Sequence, residues 1–124
     1  MKELSISKIK DIQIPVIPLA EQQLFSIVAD YLINSEYNSP SYLLFRRLLD
    51  TMVYELCFKS DFVKAKIDII KYTNIFAELP EDIDEKKMQI EQMYSTINNP
   101  NHTLSSNMLR VLSIDEVMKI DSLI

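Results

Sequence analysis

Between residues 9 and 16 apolar and polar side chains nearly alternate, with Ile9, Ile12, Ile14 and Val16 set against Lys10, Asp11 and Gln13. That is close to the two-residue period of a half-buried strand. Pro15 and Pro18 stop the pattern, since neither can donate to a sheet ladder. Pro18 suits the first turn of a helix, where its missing N–H costs nothing. Leu19, Leu24, Ile27, Val28, Tyr31 and Leu32 then follow at helical spacing. The spacing predicts a short strand joined to a helix through a proline corner. A lone strand needs a partner. No second strand pattern follows, so the strand is expected either to be an exposed edge or to pair with residues absent from this chain, a hint that the chain is the end of something longer.

Further on, the pattern is helical. Ser39 can cap a second helix, with Pro40 at its first position. Phe45, Leu48, Leu49, Met52, Val53 and Leu56 give it a broad apolar stripe, with Arg46, Arg47, Asp50 and Glu55 off it. The link Asn34 to Asn38 is short enough to make these two helices antiparallel neighbours. A short helix capped by Ser60 is predicted near Asp61–Lys66, then another from Ile67 to about Ala77 packing Ile67, Ile70, Ile75 and Phe76. Pro80 is expected to open the next, with Glu81, Asp82 and Asp84 at the positive end of its dipole. Ile83, Ile90, Met93, Tyr94 and Ile97 form its narrower stripe, and Asn98-Asn99-Pro100-Asn101 ends it. Leu104, Met108, Leu109 and Leu112 mark a further helix. Ser113 and Glu116 fit a capping box for a last one holding Ile114, Val117 and Met118. The expected fold class is mainly α: a short N-terminal strand followed by an irregular bundle of five to six helices.

Composition reinforces this reading. A chain of 124 residues that is 48% hydrophobic can fill one ordinary core. It contains no glycine. Turns needing positive φ must therefore use asparagine or aspartate, and tight hairpins and glycine loops around phosphates are disfavoured. The net charge of −5 argues against the chain gripping nucleic acid alone. Charge is uneven: Lys59, Lys64, Lys66 and Lys71 outnumber Asp61 and Asp68, and an acidic stretch from Glu78 to Glu91 follows. Two solvated helical faces explain this blandly. A basic border to a groove supplied by another domain is the sharper reading. Cys57 is the only cysteine, which excludes an internal disulfide and fits a reducing, cytoplasmic compartment. No apolar run has the length of a membrane span.

Two stretches resemble a known family. Ile14-Pro15-Val16-Ile17-Pro18-Leu19-Ala20-Glu21-Gln22 resembles the segment that closes target-recognition domains in type I specificity subunits and in the TaqI-like specificity region of fused restriction enzyme–methyltransferases. Leu48-Leu49-Asp50-Thr51-Met52-Val53-Tyr54-Glu55-Leu56-Cys57-Phe58 resembles a helix near the C-terminus of the fused enzymes, and the two stretches lie in the expected order. Ile17 departs from the pattern, standing where the family usually has the first proline of a pair. The resemblance runs from about Ser5 to Leu79. It implies that residues 1–17 end a target-recognition region and residues 18–124 form a helical C-terminal domain. Pro15, Pro18, Leu19, Glu21, Gln22, Asp50, Met52, Val53, Tyr54 and Glu55 are the motif positions, expected to act structurally. Glu21 would face the helix dipole, and Gln22 would reach back to backbone groups left open by the prolines.

Catalytic motifs are missing from this sequence. An adenine methyltransferase needs a glycine-containing donor loop and an Asn/Asp-Pro-Pro-aromatic motif, and Asn99-Pro100-Asn101 supplies one proline and no aromatic. It reads as a turn that ends a helix. Asp84-Glu85-Lys86 matches the end of a nuclease motif in letters only, with no Pro-Asp at a useful distance before it. One histidine, His102, and one cysteine make a poor zinc set, and Cys57 on the flank of an apolar face reads as a packed thiol. The tyrosines read mostly as core residues with polar tips. The resemblance thus implies a non-catalytic helical part of a specificity region, without cofactor of its own. S-adenosylmethionine would serve the parent enzyme. The partners implied are double-stranded DNA, through the parent recognition domain, and a methyltransferase domain or subunit; no membrane is expected. Arg46, Arg47, Lys64 and Lys66 are candidate phosphate contacts. The alternative is a free-standing helical protein–protein interaction module.

Overall fold

The computed structural model describes residues 17–111 and Ile114. The expected N-terminal strand, Pro15 and the expected last helix lie outside the described residues. Within them the protein is mainly helical: α1 (Leu19–Ile33), α2 (Pro40–Cys57), α3 (Lys59–Ala65), a 3-10 helix (Ile70–Ile75), α4 (Ile83–Ile97) and α5 (Thr103–Val111). These elements form an irregular bundle in which α1 packs most extensively on α2.

The first two helices start and stop as their residues dictate. Pro18 stands just ahead of α1 in extended conformation, and its carbonyl takes the Gln22 N–H at 3.0 Å. At the other end Asn34 Nδ2 and Ser35 Oγ donate to the carbonyls of Asp30 and Tyr31. Asn38 turns the chain with φ of 61°, the left-handed position that a chain without glycine gives to asparagine. Ser39 then caps α2, its Oγ accepting the Tyr42 N–H at 3.2 Å, with Pro40 in the first turn.

The segment after α2 differs from expectation. Only Phe58 separates α2 from α3, so α3 begins at Lys59 and Ser60 lies inside it instead of capping it. No long helix spans Ile67 to Ala77. Lys66 adopts φ 57° and ψ 44°, which ends α3 and turns the chain, with the Ile67 N–H returning to the Phe62 carbonyl at 3.0 Å. The 3-10 helix follows. Ile67, Ile70, Thr73 and Phe76 are all buried, a repeat of three that suits 3-10 geometry and fails to follow the 3.6 of an α-helix. Ile75, expected in the core, is exposed, and Ile69 is buried in its place.

α4 begins three residues later than the Pro80 start predicts. Asp82 is its cap, Oδ2 accepting the Glu85 N–H at 2.9 Å, and Asp84 and Glu85 occupy the first turn. Ile90 and Ile97 are buried on it, but Ile83 is 67% exposed. Leu109 on α5 is 66% exposed where a core position was expected, while Leu104 and Met108 are buried. Leu19 is likewise exposed at the start of α1.

The core runs through Val28, Tyr31, Phe45, Leu48, Met52, Phe62, Ile69, Ile97 and Leu104. At its centre Tyr31, Phe45 and Phe76 meet edge to face, with ring centroids 5.6, 4.8 and 5.9 Å apart. Each such contact contributes about 1 kcal/mol beyond area burial. The three rings tie α1, α2 and the end of the 3-10 segment together.

Candidate functional site

Five polar side chains from four helices converge on one stretch of backbone, residues 65–78. This stretch has little regular structure, so its N–H and C=O groups need partners from elsewhere. Glu55, projecting from the last turn of α2, supplies the first. Its Oε1 accepts the Ile69 N–H at 3.1 Å and the Ile70 N–H at 2.8 Å, at the open end of the 3-10 helix. Burial pushes the Glu55 carboxyl above its ordinary value. The two N–H donors oppose that shift, and the negative charges of Asp68 and Glu21 add to it.

Tyr31 and Gln89 hold the other end. The Tyr31 hydroxyl donates to the Ala77 carbonyl at 2.6 Å and accepts from Gln89 Nε2 at 2.8 Å. Gln89 Nε2 also lies 3.0 Å from the Glu78 carbonyl. α5 supplies the rest. Asn107 Nδ2 donates to the Asp68 carbonyl at 2.8 Å, and Arg110 Nη2 donates to the Ala65 carbonyl at 2.7 Å. No buried side-chain nitrogen or oxygen among the described residues lacks a hydrogen-bond partner. These groups are committed to positioning the chain.

The motif positions fall into two groups. Met52 is buried, Glu55 holds backbone, and Gln22 Nε2 reaches back to the Ile17 carbonyl at 2.8 Å, the contact its place after the prolines suggests. Glu21 lies in the first turn of α1 and Tyr54 is half-buried. Leu19, Asp50 and Val53 face outward. Of the candidate phosphate contacts, Arg46 is half-buried, while Arg47, Lys64 and Lys66 are exposed. Lys64 and Lys66 sit at the end of α3, where Arg110 reaches the adjoining carbonyls. Arg46 lies eleven residues before Cys57, so about 16 Å of helix separates it from the end of α2. Arg110 was not foreseen as part of this corner. It is 44 residues from Lys66 in sequence, and no local pattern signals a contact of that range.

The described surface carries depressions beside α1 and α4. A cleft of about 620 Å³ lies between Gln23, Ser26, Ile27 and Asp30 of α1 and the Glu78–Glu81 segment, with Lys86 of α4 at its side. A smaller one, about 340 Å³, lies beside Ser39 and Glu91. Among the described residues no group of three or more His, Cys, Asp and Glu side chains could hold a metal ion. Burial raises the Cys57 thiol above its ordinary value, which disfavours the nucleophilic thiolate. His102 Nδ1 accepts the Leu104 N–H at 3.1 Å at the start of α5. Tyr31 fits the reading of tyrosines as core residues with polar tips, whereas Tyr37 is exposed beside Tyr42. No described helix is long and apolar enough to cross a membrane.

No family model matches the chain, and neither the curated proteins nor the solved structures give a match.

Proposed function

We propose that this chain is the helical C-terminal part of the DNA sequence-specificity region of a restriction-modification methyltransferase, supporting target recognition without catalysing a reaction itself. The observation that carries the reading is the use made of the two stretches that resemble that family. Gln22 from the first and Glu55 from the second both bind backbone, at the entry to α1 and at the 3-10 helix. A support module needs motif residues that fix its shape. Lys64 and Lys66 at the end of α3 are the exposed positions for phosphate contact, with Arg47 further along the molecule. Methyl transfer from S-adenosylmethionine, and any cleavage, would belong to other domains or subunits of a cytoplasmic enzyme.

The test joins the chain to the recognition region expected upstream and measures binding to duplex DNA against salt. Affinity that falls steeply with salt supports the reading, because phosphate contacts release counterions. No DNA affinity in the joined protein contradicts it.

A second reading, a free-standing helical module that docks a protein, draws on the exposed apolar side chains Ile33, Leu43, Val53 and Val63. Scattered exposure of this kind is common on monomers. This reading gains if the joined protein ignores DNA while the isolated chain is a folded monomer.

A further inference from the structure

We draw no further inference here: the strongest candidate, the open cleft between α1 and the Glu78–Glu81 segment, presents an acidic cluster of Asp30, Glu78 and Glu81, and nothing in the structure shows what covers it.

Discussion

The Glu55 carboxylate accepts the Ile70 N–H at 2.8 Å across fifteen positions of sequence, and so ties α2 to the 3-10 helix. The same oxygen takes the Ile69 N–H. A short helix open at its start needs such an acceptor. Replacing Glu55 with Ala leaves two backbone donors without it. The expected loss is about 2 to 3 kcal/mol in urea unfolding, since an orphaned buried donor costs about 1 to 3 kcal/mol. Glu55→Gln keeps an acceptor oxygen in place and should lose much less.

The same residue sets a pH dependence. The folded pKa of Glu55 lies above its ordinary value of 4.5, so the folded state binds the proton more tightly than the unfolded chain does. Its contribution is therefore most favourable below pH 4.5 and declines as pH rises from there through the folded pKa. Glu55→Gln removes this titration. The stability of the Gln variant relative to the wild-type protein should rise over that window and level off above it. A flat difference between the two proteins from acid to neutral pH would show that Glu55 is not perturbed.

Tyr31 and Gln89 form the second anchor. Tyr31→Phe keeps the edge-to-face ring contacts but removes the 2.6 Å hydrogen bond to Ala77 and one of the acceptors for Gln89. The expected cost is about 1 to 2 kcal/mol. Gln89→Ala should cost less in the Tyr31→Phe background than in the wild-type protein, because the two side chains share one network. Additive losses in a double-mutant cycle would mean that they act separately.

Lys66 occupies a left-handed conformation that glycine adopts without penalty. Lys66→Gly should leave stability unchanged or raise it by up to about 1 kcal/mol, the relief of strain offsetting the added freedom of the unfolded chain. Lys66→Val, with its branched side chain, should lower it. Thermal unfolding of the two variants gives the comparison.

These anchors also mark where the sequence was legible. α1 and α2 could be read because their signals are local: Ser39-Pro40 at a start, a broad apolar stripe, and Asn38 in a turn. Gln22 could be placed for the same reason, its partner being five residues away. From Ile67 to about Ala77 the apolar spacing admits both an α-helix and a 3-10 helix, so it cannot choose between them. The deciding events, a left-handed lysine and a carboxylate arriving from α2, leave no local trace. Ile83 and Leu109 matched a helical period yet face solvent, since periodicity assigns a stripe without saying how far along the helix the core extends. The basic corner was half visible. Lys64 and Lys66 are neighbours in sequence, but Arg110 joins them only through the fold.

The proposed role is tested most directly by the salt dependence of duplex binding when this chain is joined to the recognition region that the proposal calls for, with and without Lys64→Glu and Lys66→Glu together. If both lysines contact phosphates, the logarithmic salt slope should be shallower by about 2 in the double variant, with weaker binding across all sequences. A wild-type joined protein that does not bind DNA would contradict the central proposal. Wild-type binding with an unchanged slope in the variant would keep DNA recognition and remove these two lysines from it.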